Sequence, residues 1–465
     1  MNLAGIWRTT SVAAAAVALA SLLAGCAGRV KPDERAARQS LRTVQQHFPP
    51  ATGTNALPAL TPASRLEDFL AYAMRNQPAV QAAYFDWAAS VERITVERSL
   101  PDPQFTFQTF NTATLLSALM PGLVMEFPGP GKLAARGAVA SAESQARYFA
   151  FETAVLQSAF AVKKAYYQLH FLADKVRINR ETLRLLADLE KLARAQNEVG
   201  KGTLQDVLRA QMEADRTATE LANLEDSRQP LRMQFKAALG WPADRPDPPL
   251  PAQFASTPLD VTSDQLFTAA LAHNPRLKAL EAEVRAADAG IRLARKDNVP
   301  DFTAGLSADL KAAPVMWNPQ AGVTLPIWRD KVAADIAAAQ AAKRSAQARL
   351  SAEQISLAVD FADQLFTYRE SGRNLALLRD KLIPKARAAL DVARVGYLGG
   401  QLDFFNLIDA ERTLLNFQLA EVEARTQCEL TLAELSLLIL GQPPADAPLL
   451  PPAASSPTPT SAPKR

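Results

Sequence analysis

Residues able to carry chemistry are few in this chain, and they do not converge. Its cysteines are Cys26 and Cys428, and its histidines are His47, His170 and His273, spread through 465 residues. Two cysteines build neither a disulfide framework nor a cysteine-based metal site if one is used elsewhere. A histidine-ligated metal needs donors that converge. No P-loop, dinucleotide-binding glycine pattern or zinc-helix motif is present, so no catalytic set, metal site or cofactor is expected. Lys and Arg (51) nearly balance Asp and Glu (48), for a net charge of +3. With no basic run interleaved with aromatics, nucleic acid is not an expected partner. Cys428 falls in an apolar-rich helical stretch, where a thiol packs as a small hydrophobe.

Cys26 stands in a more specific setting. Arg8 precedes an apolar stretch from Val12 to Leu23, and Leu23-Ala24-Gly25-Cys26 follows. The stretch is shorter than the ~20 residues of a bilayer-spanning helix. A charged start, an apolar middle and small residues at the end read as a secretory leader over 1–25. A cysteine directly after Leu-Ala-Gly resembles a bacterial lipobox, which implies that Cys26 is lipidated. Ala27 and Gly28 follow, with no aspartate to favour inner-membrane retention, so the resemblance implies anchoring in outer-membrane lipid, facing the periplasm. Acyl chains hold by burying methylenes at about 0.8 kcal/mol each. Residues 26–63 then read as a tether with one short helix near Pro32–His47. Residues 442–465, rich in Pro, Ala, Ser and Thr, read as a disordered tail.

Between tether and tail lies an internal repeat, 64–241 and 263–441, joined by a linker over 242–262. An offset of 197 aligns Phe69 with Leu266, Pro78 with Pro275, Ile94 with Ile291, Pro103 with Pro300 and Phe105 with Phe302. The offset then drifts to 200 and pairs Gly200 with Gly400, Leu208 with Ile408 and Ala210 with Ala410. Chance likeness of alanine-rich helices does not put prolines, glycines and phenylalanines in step.

Each copy has the same layout. A short helix (64–76, 263–274) ends before a proline, because the residue preceding proline disfavours helix. A second helix follows (79–99, 276–297). Two extended segments come next: Gln104–Phe110 with Leu119–Phe127, then Phe302–Leu310 with Gln320–Ile327. Gln104-Phe105-Thr106-Phe107-Gln108 alternates strictly, and the second copy more loosely. A long helix is then expected over Leu133–Glu198, and over Val332–Val395 with flaws at Gly372 and Pro384. At 1.5 Å per residue each is about 100 Å long. A glycine turn and a returning helix (203–239, 402–440) close each copy.

This layout constrains the assembly. Segments of ~9–11 residues suffice for tilted transmembrane strands. A spanning sheet must close, since an open edge leaves backbone groups unpaired in lipid. Four strands enclose no pore, and about eight make the smallest common barrel, so several chains must pool their strands. Amphipathic helices of this length likewise need neighbours to cover their apolar stripe.

With these features in place, residues 64–441 resemble the TolC family of outer-membrane efflux proteins. Val199-Gly200 with Asp206-Val207 resembles the family's first periplasmic turn. Tyr397, Gly400 and Asn406-Leu407-Ile408-Asp409-Ala410 resemble the second. The resemblance implies a mainly α fold with a small β part. It implies a homotrimer whose 12-stranded outer-membrane β-barrel continues into a 12-helix periplasmic α-barrel, four strands coming from each chain. The tip, at Val199, Gly200, Lys201, Gly202, Gly399 and Gly400, would dock a periplasmic adaptor that holds an inner-membrane pump of the resistance-nodulation-division type. In the family a tyrosine of the second turn reaches an aspartate of the first in the closed state; here these are Tyr397 and Asp206. An arginine of that network is replaced by Leu402. Two constriction aspartates correspond to Asn406 and Asp409, so a trimer would present three carboxylates instead of six, a ring that attracts cations. Read from spacing alone, Asp409 is also a surface carboxylate placed to pair with Arg412 at i+3.

Leu100-Pro101-Asp102-Pro103 and Glu126-Phe127-Pro128-Gly129-Pro130-Gly131-Lys132 further resemble the branch serving heavy-metal resistance pumps. That resemblance implies metal cargo, although prolines and glycines there start and stop strands and touch no cargo. Two other readings stand beside it: the same duct exporting drugs or other small molecules, and a lipid-anchored helical scaffold that never crosses the membrane.

Overall fold

The computed structural model describes residues 31–48, 59–112, 115–250 and 263–450. Cys26, the leader at 1–25, the linker residues 251–262 and the tail residues 451–465 lie outside the described residues. The chain divides into two compact units. The first gathers the described residues of Met1–Gln46, Ala83–Phe151 and Arg276–Ala352; the second gathers those of His47–Ala82, Glu152–Pro275 and Glu353–Arg465.

The elements follow the duplicated layout. They are α1 (Pro32–His47), α2 (Leu66–Asn76), α3 (Pro78–Arg98), β1 (Gln104–Thr112), β2 (Leu115–Phe127), α4 (Lys132–Glu198), α5 (Leu204–Asp226) and α6 (Arg228–Ala238). The second copy supplies α7 (Ser263–His273), α8 (Pro275–Ala294), β3 (Asp301–Asp309), β4 (Met316–Thr324), α9 (Arg329–Leu377), α10 (Ile383–Leu398) and α11 (Phe404–Glu434). α2 stops at Gln77, which turns extended ahead of Pro78. Asn76 donates through Nδ2 to the carbonyls of Leu239 (2.8 Å) and Gly240 (3.1 Å), and Asn274 does the same for Leu438 (3.0 Å) and Ile439 (3.1 Å). In each copy an asparagine thus satisfies carbonyls that the returning helix leaves orphaned at its end.

The copies differ in their long helices. α4 runs unbroken for 67 residues. Its counterpart is interrupted by a π turn at Leu378–Leu382, and α10 then starts with Pro384 in its first turn. The flaw expected at Gly372 is absent, for Gly372 lies within α9. The extra residue of a π turn accommodates a proline ring that would otherwise strike the preceding carbonyl. The returning segment of copy one is also divided, at Ser227 between α5 and α6.

In the first unit the four strands form an antiparallel meander in the order β1-β2-β3-β4. β2 begins at Leu115, earlier than the alternation suggests, and β4 ends at Thr324. Leu325–Ile327 leave the ladder because Pro326 has no N–H to give it. The register aligns Phe105, Leu123, Leu306 and Pro319 in one row, and Phe127, Phe302 and Val323 in another. Phe107, Pro121, Ala304, Ala308, Trp317 and Ala321 share that face. The opposite face carries Gln104, Thr106, Gln108, Glu126, Thr303, Ser307, Asn318 and Gln320. The alternation of copy two, loose by eye, holds through β3 and from Trp317 to Thr324 once the register is known, with Met316 falling on the polar face. Phe105 (72 %), Trp317 (66 %) and Val323 (54 %) are exposed on the apolar face.

The residues between β2 and α4 form a clamp. Asp301 accepts hydrogen bonds from the Gly129 N–H (2.7 Å) and Lys132 Nζ (2.8 and 2.9 Å). A side chain at Gly129 would lie 2.4 Å from the Pro300 carbonyl, so the backbones touch there. The motif ending in Lys132 is therefore a joint between the two hairpins.

α1 is held to α3 by a buried carboxylate. Glu34, 2 % exposed, accepts from Arg98, Thr95 (2.8 Å) and Arg38 (3.2 Å). Burial pushes its pKa up, but the bonds from Arg98, Thr95 and Arg38 outweigh that and hold it below the usual range. Removing one partner of a buried ionic network costs roughly 3–5 kcal/mol, and an isolated helix this short is marginal in water. Glu34→Ala is expected to free α1, read as loss of amide-exchange protection over residues 32–47 with the rest of the first unit unchanged.

Candidate functional site

The second unit carries both glycine turns, and their backbones are copies. Gly200 and Gly400 have φ of +71° and +70°, a left-handed conformation that glycine adopts without strain. The Lys201 N–H donates to the Gln196 carbonyl and the Gln401 N–H to the Gly396 carbonyl, both at 2.8 Å. The Gly202 and Leu402 N–H groups donate to those same carbonyls at 3.0 and 3.2 Å. Each long helix therefore ends with its last carbonyls satisfied.

The side chains differ where the backbones agree. A Cβ at Gly202 would lie 3.1 Å from Gln196 Cβ; a Cβ at Gly396 would lie 2.7 Å from Leu402 Cδ1. Each turn has one crossing too tight for two full side chains, and each copy has placed its glycine on the opposite partner. The first turn starts α5 with a capping box. The Thr203 N–H donates to Asp206 Oδ2 (3.0 Å), and the Asp206 N–H donates to Thr203 Oγ1 (3.3 Å). In the second turn Asp403 makes no such side-chain bond, and Asn406 takes the position of Asp206.

The family resemblance put Asp206 on Tyr397. Here the Asp206 carboxylate caps its own helix, and the Tyr397 hydroxyl is buried with no hydrogen-bond partner among the described residues. The two are electrostatic neighbours all the same. Burial, then the Asp206 charge, raises the Tyr397 pKa. The ring is held edge-on by Phe404, centroids 5.1 Å apart. Around it lies a core drawn from four helices: Leu186, Leu189 and Ala193 of α4, Val207 and Ala210 of α5, Ala393 of α10, and Phe404, Leu407 and Ile408 of α11. Val199, Gly200, Lys201, Gly399 and Gly400 lie exposed beyond this core, with Gly202 half-buried.

α11 presents two faces here. Leu407, Ile408, Glu411 and Leu414 are buried, while Asn406 and Asp409 are exposed. Asp409 has no ion pair within 4.0 Å among the described residues. Arg412, its expected partner, turns away to α5, where Nε meets Glu213 Oε1 at 3.2 Å and Nη2 takes Oε2. Arg209 of α5 lies over the Phe405 ring at 5.2 Å, a second tie between α5 and α11. Sequence reading missed Glu213 and the buried Glu411. The available signal was a carboxylate on an apolar helical stripe: Val207, Ala210, Glu213 and Thr217 on α5, and Leu407, Glu411 and Leu414 on α11. Among the described residues no group of three or more His, Cys, Asp or Glu could hold a metal ion.

An amphipathic sheet of four strands and two back-to-back helical hairpins ending in matched glycine turns define a channel-type subunit. Comparison with known proteins gives the same result. The outer membrane efflux protein family matches twice, over residues 70–241 and 266–441, and the chain belongs to that family. It is 24 % identical over 287 residues to the pyoverdine export outer membrane protein OpmQ of Pseudomonas putida, the match covering 60 % of each protein. The chain thus spans about three-fifths of the length of that curated relative. Its fold is that of solved outer membrane channels. VceC of Vibrio cholerae matches with a TM-score of 0.68 at 18 % identity, over 81 % of this chain and 96 % of that one. The open-state MtrE channel of Neisseria gonorrhoeae matches with 0.70 at 18 % identity, over 86 % and 96 %.

Proposed function

We propose that the chain is the outer-membrane duct of a three-part efflux system. Three copies pool their hairpins into a 12-stranded barrel and their helices into a periplasmic tunnel. The duct is passive, and an inner-membrane pump of the resistance-nodulation-division type drives export through an adaptor docked on Val199–Gly202 and Gly399–Gly400. The observation that carries this reading is the sheet: one face is predominantly apolar on all four strands, and among the described residues β1 and β4 are unpaired on their outer sides. Lipid suits such a face, and closure with neighbouring copies satisfies such edges.

In this reading Cys26 carries the lipid anchor, Asn406 and Asp409 line the constriction, and Tyr397 beside Asp206 belongs to the closed tip. The cargo follows the pump. The heavy-metal reading rests on the Leu100–Pro103 and Glu126–Lys132 motifs, whose residues Gly129 and Lys132 serve the hairpin joint. Another small molecule is the second reading, supported by a relative named for pyoverdine export.

The alternation of the sheet supplies the test. Leu306→Arg on the apolar face is expected to block insertion, at a cost of roughly 2–4 kcal/mol per chain at mid-bilayer depth. Ser307→Arg on the opposite face is expected to insert and to lower single-channel conductance in planar bilayers. A chain with Cys26 replaced that is extracted without detergent, and is indifferent to Leu306→Arg, would instead be a periplasmic scaffold.

A further inference from the structure

Asp409 is the exposed carboxylate of the candidate constriction, and Arg412, the cation at i+3 from it, is engaged elsewhere. Arg412 stands one helical turn away on α11, at the i+3 spacing where a surface pair would form. Its guanidinium is instead held by both oxygens of Glu213. The Glu213 side chain is only 12 % exposed, whereas Arg412 is 45 % exposed, so the anchor is fixed and the arginine is the part free to swing. The Glu213 bond, the Glu213 charge and the nearby Asp409 charge all raise the Arg412 pKa, and burial opposes them, so Arg412 stays a cation and feels both carboxylates. Arg209, which the repeat places opposite Asp409 in the first copy, is committed to the Phe405 ring. Arg216 lies 3.9 Å from Glu213 and can hold that carboxylate if Arg412 is removed.

We propose that Glu213 is a selectivity-positioning residue: by holding Arg412 on α5 it keeps Asp409 out of a contact ion pair, and so sets the cation preference of the duct without itself meeting the cargo. This rests on the reading above that Asp409 faces the lumen. A bidentate guanidinium–carboxylate pair is oriented as well as charged, so Glu213 fixes where the positive charge sits, not only whether one is present. With Glu213 neutral, the carboxyl groups within a helical turn of the freed guanidinium are Glu411, buried and bonded to Thr182 of α4, and the exposed Asp409, so the guanidinium turns to Asp409. The constriction would then lose its net negative charge with every lumen residue intact.

The test is the reversal potential of the purified full-length channel in a planar bilayer under a potassium chloride gradient. Asp409→Ala is expected to lose the cation preference. Glu213→Gln is expected to lose it as well, although no residue of the constriction has changed. Glu213→Gln with Arg412→Gln is expected to recover it, because no cation is left to swing. Arg412→Gln alone should keep it. Detergent-stable trimers and unchanged helical circular dichroism establish that each variant is folded. Full preference in Glu213→Gln beside a null Asp409→Ala would overturn the lumen assignment. Full preference in Glu213→Gln beside a defective Asp409→Ala would overturn the role of Glu213. Loss in Glu213→Gln that Arg412→Gln does not reverse would also overturn it, for the defect would then be structural.

Discussion

Gly396→Gln is expected to abolish export while leaving the outer-membrane barrel intact, and Leu402→Gly in the same chain is expected to restore it. The backbones of the two turns make the same hydrogen bonds, with Lys201 and Gln401 each closing a 2.8 Å contact to the residue five positions back. Each contains one crossing where a full side chain fits on one partner alone: Gln196 against Gly202, and Leu402 against Gly396. A glutamine at 396 places its Cβ 2.7 Å from Leu402 Cδ1 and 2.9 Å from its Cγ, inside contact distance. Relief requires the Leu402 side chain, 38 % exposed, to swing away, which puts the cost at the low end of the ~1–3 kcal/mol of overpacking a core. The strain falls at the end of α10, three residues from the turn glycines and beside the Tyr397–Phe404 contact. The double variant reproduces the glutamine–glycine arrangement of the first turn. Resistance conferred in an efflux-deficient host, with trimer abundance measured in the outer-membrane fraction, separates a tip defect from an assembly defect. Export that survives Gly396→Gln would mean that the second turn tolerates a displaced Leu402. Loss that Leu402→Gly does not reverse would mean that Leu402 has a role of its own.

Much of this was legible in the sequence because it is local. Prolines at 78 and 275 mark helix starts, and glycines at 200 and 400 mark turns, through constraints on the residues themselves. The apolar alternation of Gln104–Gln108 shows a two-faced strand directly. β4 was misplaced for the opposite reason. Met316-Trp317-Asn318-Pro319-Gln320 contains a proline that argues against a strand, yet it lies at the sheet edge, where a missing N–H is tolerated. The long helix of copy two was expected to falter at Gly372 and Pro384; it runs on through Gly372, and the break is the π turn at Leu378–Leu382 just ahead of Pro384. At the site, sequence spacing paired Asp409 with Arg412 because both lie on one helix. The partner that wins, Glu213, is 199 residues away and comes near only when α5 packs on α11. Tertiary ion pairs of this kind leave no periodic trace beyond a carboxylate on a buried stripe.

Glu411 is that trace in its clearest form, and it is expected to make the tip core weaken as pH rises. The side chain lies 3 % exposed on α11, between the tip core and the Ile383, Ala386 and Leu414 cluster. One oxygen is buried without a hydrogen-bond partner. Burial raises its pKa to about 7, and a hydrogen bond with Thr182 of α4 only partly offsets this. The next residue, Arg412, is held by Glu213 of α5. A carboxyl whose pKa is raised in the packed state favours that state when protonated. The packed tip is therefore most stable below pH 4.5, the group's ordinary value, loses stability as pH climbs to about 7, and changes little beyond. A shift of that size corresponds to about 3 kcal/mol over the whole window. Between pH 5.5 and 8, amide protection of Leu407 and Ile408 in the assembled protein, corrected for intrinsic exchange, should fall roughly thirtyfold. Glu411→Gln removes the titration and should flatten the profile. A wild-type profile as flat as that of Glu411→Gln would show that the carboxyl stays protonated throughout or that the tip opens without exposing it. In either case the tip core would be insensitive to pH over this range, and its packing would not depend on the charge of Glu411.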